Sequence, residues 1–229
     1  MKPRGRSGAQ GPRIGEIRLP GLESGDPADL TREARIDGLA FEGVECGQLD
    51  LTGSVVMECS LTDVGADEAD LRSAKLRDSL LTRVRFPSLR AGRGDWRDVR
   101  VEGARIGSAE MYDIGWNSVH FVDCKLTYLN LRGATLRDVA FTRCSIEELD
   151  LAGASAQNVA FSGSTVQSLD VQRAELGAFD LRGAELHRLT GLDRLGGTVV
   201  SSAQLYQLAP LLAAGLGMTV DDSAPPEIR

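Results

Sequence analysis

The sequence predicts an all-β solenoid of stacked square coils, and three observations lead to that fold class. Apolar residues recur at every fifth position from Ile36 to Leu186, which makes 31 positions without an exception. The position two residues before each of them, from Ala34 to Leu189, carries no charged residue. The pattern also returns after twenty residues, as the spacing of Phe121, Phe141 and Phe161 illustrates.

A period of five residues fits neither a straight helix nor a simple alternating strand. With 42% apolar residues in the chain, chance agreement over the whole run has a probability on the order of 10^-12. The backbone must therefore turn a corner every five residues, and four corners close a square. Stacking such coils at the spacing of parallel strands predicts about eight coils and a rod roughly 37 Å long.

The repeated segments resemble the A(D/N)LxG motif of pentapeptide-repeat proteins, over about two thirds of the chain. The segments that carry the resemblance are Asp50-Leu51, Ala69-Asp70-Leu71, Asn130-Leu131-Arg132-Gly133-Ala134, Asp150-Leu151-Ala152-Gly153-Ala154 and Asp180-Leu181-Arg182-Gly183-Ala184. The resemblance implies the right-handed quadrilateral parallel β-helix of that family. The best understood members are bacterial proteins that mimic DNA, bind DNA gyrase and protect it from quinolones or peptide toxins.

The chain divides into five predicted segments. Residues 1–13 are a disordered basic tail, 14–33 an N-terminal capping segment, 34–190 the β-helix, 191–220 a C-terminal cap with a helix, and 221–229 a flexible tail. Within the N-terminal segment, Ile14 to Leu22 are candidates for a first edge strand.

The C-terminal helix is predicted from a capping box, Ser201-Ser202-Ala203-Gln204. Four leucines follow at helical spacing, namely Leu205, Leu208, Leu211 and Leu212. Pro210 is expected to kink or split this helix. The leucines can cover the open end of the core. The family resemblance adds that they can also form a homodimer contact, and the two roles are compatible.

Composition excludes several classes of function. The formal charge of -7 disfavours a general duplex-binding protein. The sequence has no apolar run long enough for a membrane span and no signal-peptide pattern, so we expect a cytoplasmic protein without a membrane partner. Its four cysteines form no CxxC pair and His120 and His187 lie far apart, so we expect no metal site, cofactor or catalytic centre. Cys124 and Cys144 share a column and are interpreted as a reduced core pair.

Charge is unevenly distributed along the predicted rod. Residues 26–70 contain 12 acidic and 2 basic residues, whereas residues 71–110 contain 5 acidic and 10 basic residues. One predicted column is acidic and is interrupted by Arg90 and Asn130; it consists of Asp50, Asp70, Glu110, Asp150 and Asp170. A second column is basic and consists of Arg85, Arg105 and Lys125. The acidic column is either a partner-binding surface or only the habitual Asp/Asn position of the repeat, balanced by Arg72, Arg132 and Arg173 in adjoining columns. The basic column is either a solvated face or half of a docking surface.

These features predict a non-enzymatic interaction scaffold, because an unbroken register leaves no inserted loop to build a pocket. The sharpest form of the hypothesis is a DNA mimic that binds DNA gyrase or another type II topoisomerase. The alternative is a bacterial adaptor that binds a different protein through its segregated charge. Direct nucleic-acid binding through the basic residues comes third.

Overall fold

The structure is a computed structural model that describes residues 11–223. In that range the chain forms a parallel β-solenoid of about nine turns, followed by one α-helix. The predicted solenoid and its helical cap are confirmed, with about nine turns where the sequence predicted about eight coils. Residues 1–10 of the predicted basic tail and residues 224–229 of the predicted C-terminal tail lie outside the described residues.

Twenty strands and three helical segments follow one another along the described chain. The strands are β1 (Glu23–Ser24), β2 (Arg35–Asp37), β3 (Leu39–Glu42), β4 (Glu45–Asp50), β5 (Val55–Met57), β6 (Ser60–Thr62), β7 (Gly65–Asp70), β8 (Lys75–Thr82), β9 (Arg85–Arg90), β10 (Asp95–Glu102), β11 (Arg105–Glu110), β12 (Gly115–Val122), β13 (Lys125–Asn130), β14 (Thr135–Thr142), β15 (Ser145–Asp150), β16 (Ser155–Ser162), β17 (Ser164–Asp170), β18 (Glu175–Asp180), β19 (Ala184–Thr190) and β20 (Thr198–Val199). The helical segments are two 3-10 turns, Pro27–Asp29 and Leu192–Arg194, and the helix α1 (Ser202–Gly215).

The strands form two parallel sheets that run the length of the rod. The smaller sheet has eight strands, in the order β19-β17-β15-β13-β11-β9-β7-β4. The larger sheet has twelve strands and includes the five eight-residue strands β8, β10, β12, β14 and β16. Paired residues in the middle of the rod are twenty apart, as in Phe121↔Phe141 and Leu129↔Leu149. The predicted coil length is therefore observed directly as strand register.

Corners are made by residues with left-handed backbone conformations. Each long strand of the larger sheet passes through one of them, such as Asp78 with a φ of 45°, and so follows two sides of the square. Gly133, with a φ of 66°, lies in the turn that forms the fourth side. Aspartate and glycine tolerate this region better than most residues, which explains their frequency between the apolar positions.

The predicted interior positions form one continuous core. Of the 31 apolar positions from Ile36 to Leu186, all are buried except Cys46, Leu176 and Leu186, which are half-buried. Phe121, Phe141 and Phe161 stack with ring centroids 5.3 and 5.1 Å apart. Like residues therefore pack on like residues along the axis, and each coil buries its apolar surface against its neighbours.

Small polar residues at the second interior position hydrogen-bond to the backbone. Ser164 Oγ donates to the Phe141 carbonyl at 3.1 Å and accepts from the Cys144 amide at 3.0 Å. Cys124 and Cys144 are both buried free thiols in adjacent coils. Their mutual hydrogen bond, together with burial, raises the pKa of Cys144. The interior position predicted for both cysteines is confirmed, and their reduced state stays a prediction.

The N-terminal segment differs from the expectation. The first strand is Glu23–Ser24, so the edge strand predicted at Ile14 to Leu22 was wrong. The Arg13 amide donates to Asp138 Oδ1 at 2.9 Å, while Ile14 and Ile17 lie near His120. Residues 13–17 thus run across several coils of the larger sheet, and a segment that crosses strands cannot pair with them.

The helix α1 closes the end of the solenoid, and its capping box is confirmed. The Ser201 amide donates to Gln204 Oε1 at 2.8 Å, and Ser201 Oγ accepts from the Gln204 amide at 3.2 Å. Gln204 Nε2 also donates to the Ala184 carbonyl at 2.8 Å, which satisfies a backbone acceptor of the last coil. Pro210 does not split the helix. The carbonyl that loses its hydrogen-bond donor belongs to Tyr206, a residue that is 82% exposed.

No helix within residues 11–223 is long and apolar enough to span a membrane.

Candidate functional site

The five acidic residues of the predicted column lie in one ladder along the edge of the smaller sheet, and we call them the acidic ladder. Strand register aligns them through direct partners in successive coils: Asp50↔Asp70, Asp70↔Arg90, Arg90↔Glu110, Glu110↔Asn130, Asn130↔Asp150 and Asp150↔Asp170. Each position comes directly before a corner of the coil. The alignment follows from the repeat alone, because positions twenty residues apart must stack.

The aspartates of the acidic ladder hold the corners of the coil. Asp50 Oδ1 accepts from the Thr52 amide at 3.0 Å, and Asp150 Oδ1 accepts from the Ala152 amide at 2.9 Å. Asn130 makes the same bond with its Oδ1. A side-chain oxygen that accepts from the amide two residues on is an Asx turn. This use explains why the repeat favours both Asp and Asn here, and it requires no charge.

Arginines neutralise part of the acidic ladder. Arg72 pairs with Asp70 at 2.6 Å, and Arg132 pairs with Asp150 at 2.5 Å. Partial burial raises the pKa of Asp70, but the hydrogen bonds and charge of Arg72 outweigh it and hold that pKa below its ordinary value. The Asp150 side chain is only 5% exposed. These two carboxylates are therefore poorly available to a partner.

Three members of the acidic ladder have no ion-pair partner among the described residues. Asp50 is exposed. Hydrogen bonds from the Thr52 side chain and, to a smaller extent, from the Thr52 backbone hold the pKa of Asp50 below its ordinary value. Glu110 is half-buried and accepts from Asn130 Nδ2 at 2.6 Å. Asp170 is half-buried and carries an Asx turn to Gln172. These three carboxylates are the part of the ladder that a partner can reach.

The predicted basic column also lies on the smaller sheet, at the opposite edge of its strands. Register aligns Arg85↔Arg105 and Arg105↔Lys125. Together with a neighbouring row of Pro87, Gly107 and Thr127 they line an open depression of about 400 Å³, which we call the cationic groove.

Only one cation of the cationic groove is neutralised. Arg85 pairs with Glu45, which lies two coils away and extends over Gly65. Arg105 and Lys125 are exposed and have no ion-pair partner within residues 11–223. Like charges one coil apart repel by about 0.9 kcal/mol even in water. The unpaired pair therefore carries a small electrostatic cost that a bound anion would relieve.

The acidic block at residues 26–70 and the basic block at residues 71–110 pair with each other across coils. Arg83 binds Asp63 at 2.6 Å, and Arg90 approaches Glu68 at 3.5 Å. The hydrogen bonds and charge of Arg83 hold the pKa of Asp63 below its ordinary value. Several basic residues that the sequence offers to a partner are thus already engaged inside the protein.

The four predicted leucines of the C-terminal helix face different environments. Leu208 is buried at 4% exposure, and Leu211 and Leu212 are half-buried against the core. Leu205 is 52% exposed. The first three cover the end of the solenoid, whereas Leu205 lies beside the exposed Tyr206 and is free for another contact.

Several residues near these surfaces were not identified from the sequence. Glu45 and Asp67 border the cationic groove, and Glu147 and Glu148 lie further along the same face. The twenty-residue period could have placed Asp67 and Glu147 in the row of Gly107, but single acidic residues gave no reason to select them. Within the described residues, no group of His, Cys, Asp and Glu is arranged to hold a metal ion.

Comparison with known proteins identifies the repeat. Residues 94–171 match the family model described as "Pentapeptide repeat region", which confirms the family resemblance of the sequence. No curated protein matches the chain.

Among solved structures, a trypsin-treated variant of QnrB1, a plasmid-mediated fluoroquinolone resistance protein, is 16% identical, and the alignment covers 82% of this chain and 100% of that chain with a TM-score of 0.33. HetL, a pentapeptide repeat protein involved in heterocyst differentiation regulation from the cyanobacterium Nostoc sp. strain PCC 7120, is 18% identical, with 74% and 90% covered and a TM-score of 0.23.

Proposed function

We propose that this protein is a non-enzymatic interaction scaffold, and that DNA gyrase or another type II topoisomerase is the partner to test first. The observation that carries the proposal is the acidic ladder, in which five carboxylates share one row of the β-helix, interrupted by Arg90 and Asn130. A protein that binds the phosphates of DNA can accept regularly spaced carboxylates in their place. The pentapeptide-repeat motif points to the same class of partner.

Recognition is expected to depend on the open carboxylates of the ladder. Asp50, Glu110 and Asp170 follow one another at intervals of three coils, about 14 Å each at the spacing of parallel strands. Asp70 and Asp150 contribute less, because arginines already bind them.

The direct test is a gyrase supercoiling assay with the purified protein, with and without a quinolone, over a series of salt concentrations. The proposal predicts a change in supercoiling or protection from the quinolone that weakens as salt rises. The absence of any effect at micromolar protein and low salt would reject the topoisomerase as the partner.

A charge-only variant sharpens this test. Asp50→Asn, Glu110→Gln and Asp170→Asn together remove three charges, and Asn can keep the Asx turn, as Asn130 does. The matched control is Glu42→Gln, Asp78→Asn and Glu175→Gln, which removes three charges from the larger sheet. Loss of the gyrase effect in the first variant and its retention in the second would support recognition by the ladder. An equal loss of the gyrase effect in both variants would show that net charge matters and that the position of the carboxylates in the ladder does not.

The second candidate is an adaptor that binds another protein through segregated charge. The unpaired Arg105 and Lys125 favour it over direct nucleic-acid binding, because Arg83, Arg85 and Arg90 of the same basic block are engaged by acidic residues. Retention on DNA that weakens with salt would instead support the nucleic-acid hypothesis.

We also propose that the protein forms a homodimer through its C-terminal segment. Leu205, Tyr206 and Leu216 are 52%, 82% and 77% exposed. Exposed large apolar side chains on a terminal helix and at its C-terminal end favour a protein-protein contact there. A dimer of this kind would double the length of the scaffold and leave both faces of the rod accessible.

A further inference from the structure

The cationic groove is bounded along the rod by acidic residues at both ends. Asp67 occupies the row of small residues one coil before Pro87, and Glu147 occupies the same row one coil after Thr127. Both acidic residues are exposed. The face therefore alternates acidic, basic and acidic along the axis.

The dimensions of this pattern follow from the coil spacing. Arg85 to Lys125 spans two coil steps, about 10 Å, and Asp67 to Glu147 spans four steps, about 19 Å. An extended peptide advances about 3.3 Å per residue. About three residues of such a peptide cover the basic stretch, and about six reach from one acidic end to the other.

We propose that the cationic groove binds an extended peptide segment of a partner protein, with a short acidic centre and basic residues on both sides. The acidic centre pairs with Arg105 and Lys125, and the basic flanks meet Asp67 on one side and Glu147 and Glu148 on the other. A nucleic-acid strand along the same path would bring phosphates against these carboxylates, because its charge is negative throughout. The alternation thus selects a peptide of mixed charge.

The groove contains its own competitor for the ligand. Glu45 extends over Gly65 and neutralises Arg85, where the absence of a Cβ at Gly65 leaves room for the carboxylate. A carboxylate of the ligand can replace Glu45 at Arg85. Removing the charge of Glu45 should therefore strengthen the binding of a ligand whose carboxylate pairs with Arg85.

The experiment uses the full chain and three fluorescein-labelled peptides of equal length, followed by fluorescence anisotropy. The first has a central Asp-Glu-Asp flanked by two lysines on each side. The second has the same composition with all acidic residues at one end, and the third has inverted charges. The first peptide is expected to bind about tenfold more tightly than either of the others.

Variants assign the binding to the groove. Arg105→Glu and Lys125→Glu should each weaken binding of the first peptide about tenfold, and Glu45→Gln should tighten it about threefold. The matched control is Arg97→Glu, an exposed arginine on the larger sheet with no ion-pair partner among the described residues. Arg97→Glu should leave the affinity for the first peptide unchanged. A thermal melt of each variant checks that the variant is folded.

Three outcomes would overturn the inference. They are equal affinity for all three peptides, an effect of Arg97→Glu as large as that of Lys125→Glu, or a single-stranded oligonucleotide that binds more tightly and is lost in the same variants. The gyrase assay does not enter this test. The peptide result and the topoisomerase result can therefore fail separately.

Discussion

Arg132 Nε donates to Asp150 Oδ2 across 2.5 Å, while Asp150 Oδ1 accepts from the Ala152 amide at 2.9 Å. Asp150 therefore stabilises a corner of the coil with both carboxylate oxygens. Its column contains Asp50 and Asp170, which make the same turn but have no arginine partner. Residues of the same ladder thus differ in whether their carboxylates are available to bind a partner.

We predict that Asp150→Ala lowers the free energy of unfolding by about 1–3 kcal/mol, because the Ala152 amide loses its acceptor in a buried place. Asp150→Asn should cost less than half as much, since the amide oxygen can still accept that bond. Urea unfolding of the two variants measures the difference. Equal losses would show that the charge of Asp150, and not its turn, stabilises the corner.

A second prediction concerns the aromatic stack. Phe141 lies between Phe121 and Phe161, and Phe141→Ala should lower the free energy of unfolding by about 3–5 kcal/mol through loss of buried surface and a remaining cavity. Phe141→Leu should cost about 1–2 kcal/mol. Denaturant unfolding tests both. A loss below 1 kcal/mol for the alanine variant would mean that the core can collapse around the gap.

Two glycines of the same row should respond in opposite ways to alanine. A Cβ at Gly107 would overlap the backbone carbonyl of Pro87, whereas a Cβ at Gly47 meets nothing within 4 Å. Gly107→Ala should therefore lower stability by about 1–3 kcal/mol. Gly47→Ala should be neutral or slightly stabilising. Thermal melts of both variants provide the comparison, and similar shifts would contradict the close approach at Gly107.

His120 should make stability depend on pH. Burial and the nearby Arg100, and to a smaller extent Arg143, lower its pKa, while Glu102 acts in the opposite direction. Arg100 can only donate, so His120 Nδ1 accepts from it and Nε2–H donates to Thr142 Oγ1. This neutral form is the stable one in the folded protein.

Because the folded pKa lies below the unfolded value, the unfolded state binds the proton first as the pH falls. Stability from this group is fully present above about pH 6.5, the ordinary histidine pKa, and is lost from there down to the lower folded pKa. His120→Gln should flatten the decrease of melting temperature between about pH 7 and 5. An unaltered slope in His120→Gln would contradict the prediction.

The dimer hypothesis predicts different effects for neighbouring residues of α1. Tyr206→Asp should shift the protein to a monomer in sedimentation velocity, with little change in melting temperature at low concentration, because Tyr206 is 82% exposed. Leu208→Asp should lower the melting temperature by several degrees, because Leu208 is buried in the cap. A wild-type protein that sediments as a monomer at all concentrations would reject the dimer.

The repeat made the coil and its columns predictable. A period of five with recurrence after twenty determines which residues stack, and this is why the acidic ladder and the basic column were assembled correctly from numbering alone. The capping box of α1 was equally readable, since its two hydrogen bonds join residues only three apart. The sequence was therefore sufficient to predict the features that depend on the repeat or on hydrogen bonds between residues close in the chain.

By itself, the amino-acid sequence determined the solenoid, its register and the order of charges along the rod, because every coil repeats the geometry of the one before. Only the tertiary structure decided which of those charges are available. Glu45 meets Arg85 forty residues away across a glycine, and Asp150 is enclosed by Arg132. The N-terminal segment lies across the larger sheet. These outcomes depend on side-chain conformations and on a segment outside the repeat, neither of which the period constrains.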